Sequence, residues 1–369
     1  MGRKIYLIAG EASGDLHGGN LIRAMRTREA DLEIRGWGGD QMEAAGCQLV
    51  RHYRDLAFMG FVEVIRNLPT ILGNLRLAKR DIREFRPDIV VFIDYPGFNL
   101  RLVPYVKSLG IRTVYYISPQ LWAWHESRVK IIRQSVDDLL VILPFEAGFF
   151  AQEGVQASYV GHPLVEVIRS FQSQVDIHQA LDLSPDRPLI ALLPGSRRQE
   201  VTNMLPVMAA LARQYPRFAW VIAEAPGLSE ATYRQVLADY PEIHSIRGRT
   251  YDLLAQAYAA VVTSGTATLE TALFQVPQVV AYKGSVISYW IARQLVKLKY
   301  ISLVNLLLDR PLVKELIQQD LTIERLKQAF QDLLDPPTRQ AMLEGYTELR
   351  KLLGEQDASA SAAGHILND

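Results

Sequence analysis

The chain has 369 residues, of which 40 are Lys or Arg and 40 are Asp or Glu, and 49% are hydrophobic. At about 150 residues per domain, this length predicts two domains, each with its own core. The balanced charge argues against a nucleic-acid-binding protein, which usually contains a strongly basic domain. The single cysteine, Cys47, excludes an internal disulfide framework and a multi-cysteine zinc site. No stretch approaches the roughly 18 uncharged apolar residues of a membrane span, and the N-terminal apolar run is too short for a signal peptide. We therefore expect a soluble protein of a reducing compartment.

The first half of the chain alternates between short apolar runs and longer amphipathic stretches. Buried strands are predicted at 5–9, 89–93, 113–117 and 139–143, and helices at 20–28, 71–85 and 128–134. Continuous apolar strands separated by helices indicate a parallel sheet that is covered on both faces.

The alternation pauses over the polar residues 167–187, which we interpret as a linker with one amphipathic helix. It then restarts, with strands predicted at 189–193, 219–223, 260–263 and 278–281. The fold class is therefore α/β, with two Rossmann-like, doubly wound domains facing each other across a crevice. The predicted divisions are a domain at 1–166, the linker, a domain at 188–320 and a helical C-terminal segment at 321–369. Ligands of such sheets bind beyond the carboxyl ends of the strands.

The first strand ends in a loop that is rich in glycine and acidic residues, with Gly10, Ser13, Gly14 and Asp15 as candidate ligand contacts. Its spacing fits neither the dinucleotide fingerprint nor a Walker loop. Because its acids would repel a phosphate, a ligand rich in hydroxyl groups suits it better. The alternative is a tight turn in which Ser13 or Asp15 caps the following helix.

The strand predicted at 189–193 ends in a proline-glycine turn that contains Gly195, Ser196 and Arg197. Ser196 and Gln199 fit a capping box, which is a purely structural explanation of both residues. That explanation leaves out Arg197, because a cation in the first helical turn opposes the helix dipole. A guanidinium beside free helix N–H groups suits a diphosphate, so we predict a diphosphate site here.

The strand predicted at 260–263 ends in a similar turn, with Ser264, Gly265 and Thr266 before a helix. If Thr266 is the cap, a capping-box acid belongs at 269, so Glu270 is one residue out of register for that role. A carboxylate in this place can accept both hydroxyl groups of a ribose. With Arg197, these residues predict a nucleoside-diphosphate site in the second half.

Asp94 ends the strand at 89–93 and precedes a turn that contains Asn99. Aspartate before a proline-containing turn is common, so a structural role is one interpretation. The other is a general base that takes a proton from an acceptor hydroxyl at the crevice. The sequence has no D-x-D pair and no His or Cys cluster, so we predict no metal. The charge of a leaving diphosphate would then be met by Arg197 and helix dipoles.

Two stretches combine apolar side chains with excess positive charge. Residues 51–83 contain seven basic and three acidic residues, and 289–315 contain five basic and two acidic residues. Within the first, Phe58, Met59, Phe61 and Val62 are candidate lipid contacts. Such stretches suit an anionic lipid or an interfacial helix, although an ordinary core helix with solvated cations is the alternative.

Taken together, the motifs resemble those of the lipid-A-disaccharide synthase family, glycosyltransferases of bacterial outer-membrane lipid assembly. They occur in order over roughly residues 3–315: AGEASGDLHG at 9–18, LAFMGFVEVI at 56–65, IDYPGFN at 93–99, YISPQLWAWHESR at 116–128, LPFE at 143–146, GHPLVE at 161–166, LLPGSRRQEV at 192–201, TSGTATLE at 263–270 and KYISLVNLL at 299–307.

The resemblance implies a GT-B fold that works without a metal or other cofactor. It implies an inverting transfer of diacylglucosamine from UDP-2,3-diacylglucosamine to the 6-hydroxyl of 2,3-diacylglucosamine 1-phosphate, giving lipid A disaccharide 1-phosphate and UDP. Asp94 then matches the candidate general base and Arg197 the essential arginine on the diphosphate side. Glu270 and Asn305 match donor-site positions, and the loop from Ser13 to Asp15 lines the crevice.

The resemblance also implies a cytoplasmic protein, peripheral on the inner face of the cytoplasmic membrane, that forms a homodimer with exchanged C-terminal segments. Two other functions remain open from the sequence. One is a different GT-B enzyme acting on UDP-N-acetylglucosamine, such as the peptidoglycan lipid glycosyltransferase or a UDP-sugar epimerase. The other is a non-catalytic protein that binds a nucleotide sugar at the membrane.

Overall fold

The structure is a computed structural model that describes residues 2–55, 68–124, 128–225, 227–283 and 299–368. It divides into two compact units. Unit 1 comprises Met1–Glu166 and Leu353–Asp369, and unit 2 comprises Val167–Leu352. Each unit is built around one parallel sheet with helices on its faces. The predicted lipid contacts Phe58, Met59, Phe61 and Val62 lie outside the described residues.

Unit 1 contains a seven-stranded sheet. Its strands are β1 (Lys4–Ala9), β2 (Glu33–Gly38), β3 (Gln48–His52), β4 (Ile89–Ile93), β5 (Arg112–Tyr116), β6 (Asp138–Val141) and β7 (Ala157–Tyr159). They are all parallel and lie in the order β3-β2-β1-β4-β5-β6-β7. The central strands β1 and β4 carry almost only apolar side chains because both of their faces are covered.

The helices that follow these strands lie in unit 1, except that the last one, at 163–170, extends into the start of unit 2. They are α1 (Ala12–Arg28), α2 (Asp40–Ala44), α3 (Leu68–Phe85), α4 (Pro96–Ser108), α5 (Leu121–Trp124), α6 (Val129–Ser135), α7 (Glu146–Gln152) and α8 (Pro163–Ser170). Successive side chains of a strand point to opposite faces. Accordingly, Ile5 and Leu7 of β1 belong to one core cluster, and Tyr6 and Ile8 belong to a second.

Unit 2 contains a six-stranded sheet. Its strands are β8 (Leu189–Leu193), β9 (Ala219–Glu224), β10 (Ile243–Arg247), β11 (Ala259–Thr263), β12 (Gln278–Tyr282) and β13 (Lys314–Ile317). They are parallel and lie in the order β10-β9-β8-β11-β12-β13. Its helices are α9 (Ile177–Ala180), α10 (Arg198–Gln214), α11 (Glu230–Leu237), α12 (Thr250–Gln256), α13 (Thr266–Leu273), α14 (Leu303–Leu308), α15 (Ile323–Leu334) and α16 (Pro336–Leu353).

The C-terminal part of the chain does not form a segment of its own from residue 321, which differs from the predicted division. Helix α15 buries Leu326, Ala329, Phe330 and Leu333, and the Phe330 ring lies 5.2 Å from that of Trp220 in β9. This apolar stripe fixes α15 in unit 2, because exposing it to water would cost about 1.5–3 kcal/mol for each large side chain.

The last helix, α17 (Ala358–Leu367), returns to unit 1 and packs against α1. Arginines bind the carbonyl groups at its C-terminal end, where cations favour the helix dipole. Arg3 donates to the carbonyl of Leu367 over 2.7 Å, and Arg112 donates to those of Ile366 and His365 over 3.0 and 2.9 Å.

The residues that the sequence assigns to a linker are ordered parts of the units. Helix α8 continues to Ser170, and α9 begins after Asp176, whose side chain accepts from the backbone N–H of Gln179. Between them, Ser173 and Gln174 both donate to the carboxylate of Asp252. These bonds attach the segment to the core of unit 2.

Candidate active site

The loop after β1 brings two glycines and an acid to the carboxyl end of the sheet in unit 1. Helix α1 begins at Ala12, after Glu11, which makes no side-chain capping bond. Gly10 lies against the ring of Tyr95, so that a Cβ at this position would clash with the ring. Ser13 is exposed, whereas Gly14 is buried against Ala9. Only Ser13 of this pair can offer a side chain to a ligand.

Asp15, a predicted crevice contact, has a structural role. Its carboxylate is buried and accepts from the backbone N–H groups of Gly39 at 2.7 Å and of Gln41 and Met42, both at 3.0 Å. These groups belong to the start of α2, so Asp15 caps that helix from a distance of 24 to 27 residues along the chain. Three of the hydrogen bonds that this carboxylate can accept are therefore already made with the backbone.

Asp94 and Tyr95 follow β4 in the left-handed region, with φ angles of 46° and 48°. This conformation is uncommon for residues with a side chain. It is held by the backbone N–H of Asp94, which donates to the carbonyl of Tyr116 over 3.1 Å. The carbonyl of Asp94 in turn accepts from the Tyr115 hydroxyl and from the Asn99 amide, both at 2.7 Å. The predicted crevice residue Asn99 is fully buried and fixes the backbone of Asp94.

The Asp94 carboxyl has the electrostatic properties of a general base that works near neutral pH. Burial is the main cause that raises its pKa to about 6; the nearby carboxylates of Glu11 and Glu146 contribute to this rise, and a hydrogen bond from the backbone of Tyr95 opposes it. A base whose pKa lies close to the operating pH transfers protons most effectively.

Glu146 is a residue of this region that the sequence analysis did not single out. It is buried at the start of α7 and accepts from Ser118 Oγ at 2.9 Å, Trp122 Nε1 at 3.1 Å and the backbone N–H groups of Ile142 and Leu143 at 3.2 and 3.0 Å. Burial raises its pKa, and these hydrogen bonds oppose that shift. Glu146 thus connects the loops that follow β5 and β6. An acid in the first turn of a helix just after a strand was the available signal.

In unit 2, the loop after β8 begins with Gly195 at a φ of 109°. The Glu200 carboxylate then accepts from the backbone N–H groups of Ser196 and Arg197 at 3.0 and 3.2 Å. The cap of α10 is therefore Arg197, with Glu200 three residues later, and the predicted capping box of Ser196 and Gln199 is wrong by one residue. The Arg197 side chain is 65% exposed, and its Nη1 lies 3.4 Å from Glu200 Oε1.

The loop after β11 precedes α13, whose cap is Gly265 and not Thr266. Thr266 is the first residue of the helix and is exposed, and Ser264 donates from Oγ to the carbonyl of Ile301 over 2.9 Å. Since β8 and β11 are paired, this loop and the one that holds Arg197 follow neighbouring strands of one sheet. The structure thus brings the two predicted helix N-termini to the same sheet edge.

Glu270 lies in the second turn of α13 and is half-buried. Its Oε1 accepts from the hydroxyl of Tyr251 in α12 over 3.0 Å. Burial raises the pKa of the Glu270 carboxyl, and the hydrogen bond from Tyr251 lowers it. Tyr251 was not identified from the sequence, because its distance of 19 residues from Glu270 follows no regular pattern.

Asn305, predicted at the donor site, has a buried side chain that makes three hydrogen bonds within unit 2. Its Nδ2 donates to the carbonyl of Val313 and to Glu315 Oε1 at 2.8 and 2.9 Å, and its Oδ1 accepts from the backbone N–H of Val313 at 2.9 Å. The amide therefore connects α14 to β13. Its role in the structure is to hold this segment, and both the nitrogen and the oxygen of the amide bind protein groups.

Two kinds of feature are absent from the residues that the structure describes. In those residues, no group of three or more His, Cys, Asp or Glu side chains is arranged to hold a metal ion. No helix within the described ranges is both long and apolar enough to cross a membrane.

Comparison with solved structures defines the class of fold. The UDP-GlcNAc 2-epimerase from Neisseria meningitidis, solved with UDP-GlcNAc, superposes with a TM-score of 0.65 at 11% identity, over 99% of this chain and 100% of the other. A calicheamicin glycosyltransferase gives a TM-score of 0.60 at 17% identity, over 99% and 97% of the two chains. At these identities the likeness concerns the fold alone, which is GT-B as predicted.

Comparison of sequences defines the family. The family model described as Lipid-A-disaccharide synthetase matches residues 5–366. The Lipid-A-disaccharide synthase of Myxococcus xanthus (strain DK1622) is 40% identical over 99% of this chain and 97% of its own length. That of Syntrophus aciditrophicus (strain SB) is 42% identical over 97% and 96%. The chain belongs to the lipid-A-disaccharide synthase family and is a glycosyltransferase, which confirms the resemblance found in the sequence.

Proposed function

We propose that the protein transfers the diacylglucosamine of UDP-2,3-diacylglucosamine to the 6-hydroxyl of 2,3-diacylglucosamine 1-phosphate, with inversion at the anomeric carbon. The products are lipid A disaccharide 1-phosphate and UDP. The observation that carries this proposal is Asp94, a half-buried carboxyl with a pKa raised to about 6 at the carboxyl end of β4. Its backbone is held on both sides, so the carboxyl has a defined position.

In the proposed reaction, the Asp94 carboxylate takes the proton of the acceptor hydroxyl as its oxygen attacks the anomeric carbon. The bond from that carbon to the diphosphate oxygen breaks, and its electron pair leaves with UDP. Negative charge therefore develops on the diphosphate. The exposed guanidinium of Arg197 and the positive dipole ends at the starts of α10 and α13 are suited to stabilise it.

Unit 2 supplies the donor site in this proposal. The turn of Gly195, Ser196 and Arg197 and the turn of Ser264, Gly265 and Thr266 would bind the diphosphate, and Glu270 would accept from the ribose hydroxyls. Unit 1 supplies the base, with Gly10 and Ser13 beside the acceptor.

We further propose that unit 1 binds the inner face of the cytoplasmic membrane from the cytoplasm. Leu72 of α3 is 46% exposed, and Arg76, Arg80 and Arg83 are exposed on the same helix. A basic helix with exposed apolar groups suits an anionic lipid surface. Sedimentation with vesicles that contain anionic lipid should bring down the protein at low salt, and binding only to neutral vesicles would contradict the proposal.

The homodimer with exchanged C-terminal segments is likewise a proposal. In the structure, α17 packs on α1 of the same chain, and the same two surfaces could be joined between two chains. Light scattering on the purified protein should give twice the chain mass of 41.6 kDa, and a monomer at micromolar concentration would contradict it.

The activity is tested by incubating the protein with UDP-2,3-diacylglucosamine and 2,3-diacylglucosamine 1-phosphate and analysing the products by mass spectrometry. We expect the disaccharide monophosphate and one UDP for each disaccharide. Turnover of unacylated UDP-N-acetylglucosamine in place of the acylated donor would favour a different GT-B enzyme. Binding of UDP without any product would favour a non-catalytic nucleotide-sugar-binding protein.

A further inference from the structure

Tyr251 and Glu270 form a hydrogen-bonded pair within unit 2. The reaction described above gives a role to Glu270 but none to Tyr251. Tyr251 is the second residue of α12, and Glu270 lies in α13. The tyrosine hydroxyl donates to Glu270 Oε1 over 3.0 Å. A carboxylate offers about four lone-pair positions on its two oxygens, so this bond leaves Oε2 available to accept hydrogen bonds.

The position of the Tyr251 ring is determined by aromatic neighbours. The Phe171 ring meets it edge-on, with centroids 5.5 Å apart and an angle of 86° between the planes. Phe274 directly follows α13, the helix that contains Glu270, and its ring centroid lies 5.2 Å from that of Tyr251. Phe171 and Phe274 also contact each other at 5.6 Å, so the three rings form one cluster. Such contacts restrict the side chain to one orientation.

The backbone beneath the ring is fixed as well. The next residue, Asp252, is buried, and its carboxylate accepts from Ser173 Oγ at 3.0 Å and from the backbone N–H groups of Gln174 and Val175 at 2.8 and 3.3 Å. These bonds anchor the start of α12. The packing of the ring and the anchoring of α12 therefore hold the Tyr251 hydroxyl in place beside Glu270. A residue that positions another side chain needs such support.

The protonation states fit the same role. Burial and the neighbouring Glu270 carboxylate raise the pKa of Tyr251 well above its usual range, so the hydroxyl keeps its proton and acts as a donor. Burial raises the pKa of Glu270, and the Tyr251 hydrogen bond opposes that shift. The tyrosine thus favours the ionised carboxylate, which accepts hydrogen bonds from a ligand more strongly than the neutral acid does.

We propose that Tyr251 is a positioning residue of the donor site, which binds Glu270 Oε1 and thereby directs Glu270 Oε2 to a ribose hydroxyl of the UDP moiety. This inference rests on the proposed function, in which Glu270 binds the ribose. It adds a residue that does not itself contact the nucleotide. Under this proposal, Tyr251 and Glu270 together make the protein prefer a nucleotide with ribose hydroxyls to one without them.

The experiment measures the affinity of the purified full-length protein for UDP and for 2′,3′-dideoxy-UDP by calorimetry. Wild type is compared with Tyr251→Phe, which keeps the ring and removes only the hydroxyl, and with Glu270→Gln. Tyr346→Phe is the matched control, because it removes a tyrosine hydroxyl elsewhere in unit 2, one that is fully buried and accepts from Gln278 Nε2.

For wild type we expect UDP to bind about tenfold more tightly than the dideoxy nucleotide. Tyr251→Phe should lose about fivefold in affinity for UDP, the size of one hydrogen bond, and should bind the dideoxy nucleotide as wild type does. Glu270→Gln should bind the two nucleotides almost equally. The control should retain the wild-type affinities. An equal loss for both nucleotides in Tyr251→Phe, or no loss for either, would overturn the inference.

The pH dependence gives a second readout that a packing defect alone would not change. Removing the Tyr251 hydroxyl removes an interaction that lowers the pKa of Glu270. The UDP affinity of Tyr251→Phe should therefore decline on acidification at a higher pH than that of wild type, and identical profiles would contradict the inference. If wild type itself binds no UDP, the proposed function fails. If wild type discriminates between the nucleotides and Tyr251→Phe does so equally well, only the role of Tyr251 fails.

Discussion

The two units carry groups of opposite charge at the carboxyl ends of their parallel strands. At the carboxyl ends of the strands, unit 1 presents carboxyl groups, with Glu11 and Glu146 near Asp94. The corresponding edge of unit 2 presents an exposed arginine, Arg197, and the starts of α10 and α13. Because the two sheets share one architecture, this difference comes from the few residues that follow each strand. One edge suits the removal of a proton, and the other suits a diphosphate.

The two units also differ in how their loops turn. Unit 2 places glycine at its positive φ angles beside the predicted site, at Gly195 and Gly265. Unit 1 places Asp94, Tyr95 and Ile117 in the left-handed region. Such residues cost about 1–3 kcal/mol each and persist where the surroundings hold them. The hydrogen bonds to the backbone of Asp94 show how that conformation is held, and the strain coincides with the proposed base.

The largest effect is expected from Asp94→Asn, which removes the base from unit 1 and leaves the edge of unit 2 intact. We expect kcat to fall by about 10³-fold, within the range for loss of a general base. The fold should persist, because asparagine tolerates the left-handed conformation. Product formation by mass spectrometry and thermal unfolding by circular dichroism measure the two quantities. A kcat near that of wild type would show that Asp94 is not the base.

The second effect concerns the opposite edge. Arg197→Ala should lower kcat/KM by about 10²-fold, because it removes the side chain that meets the charge of the leaving diphosphate. Arg197→Lys should recover part of the loss, since it keeps a charge and loses the planar fork. The control is Arg213→Ala in the last turn of the same helix, which should retain activity. Equal activities of Arg197→Ala and the control would exclude this role.

The third prediction separates a structural acid of unit 1 from the proposed base. Asp15→Asn places an amide where a carboxylate now accepts three backbone N–H groups. We expect a loss of about 2 kcal/mol in the free energy of unfolding, measured with urea, because buried donors lose an acceptor. Ser13→Ala, at an exposed position two residues earlier, is the control and should leave the free energy of unfolding almost unchanged. A stable but inactive Asp15→Asn would instead assign Asp15 to the reaction.

The smallest effect is a shift in the pH profile. The reaction needs ionised Asp94, so kcat/KM should fall as the pH drops through about 6, where that carboxyl gains a proton in the free protein. Glu11 contributes to raising the pKa of Asp94, and Glu11→Gln should therefore move the acid limb of the profile to lower pH. The rate above pH 7 should change little. Glu33→Gln, at the start of β2, is the control, and a limb that moves to higher pH would contradict the electrostatic account.

The sheets were largely predictable from the sequence. The strands at 89–93 and 189–193 were predicted to the residue, because fully buried strands are continuous apolar runs. The strands β2, β3, β7, β10 and β13 were missed. They lie toward the edges of the sheets and carry polar residues such as Arg35 and Lys314, so their patterns are not those of buried strands.

The site was less predictable, because its hydrogen bonds join residues that are far apart in the sequence. The chemistry of Asp15 depends on backbone groups that only the folded chain brings to it. The hydrogen bonds of Asn305 likewise depend on Val313, just before β13, and on Glu315 within that strand. The start of α10 was mispredicted for a different reason. Ser196 fits a capping pattern in the sequence, but the residue that caps the helix is its neighbour Arg197.

One variant, measured in two ways, shows whether unit 2 binds UDP while unit 1 provides the base. Asp94→Asn is titrated with UDP by calorimetry and assayed for the disaccharide by mass spectrometry in a single turnover. We expect wild-type affinity for UDP together with loss of product. Product at the wild-type rate, or loss of UDP binding in parallel with loss of product, would contradict this expectation.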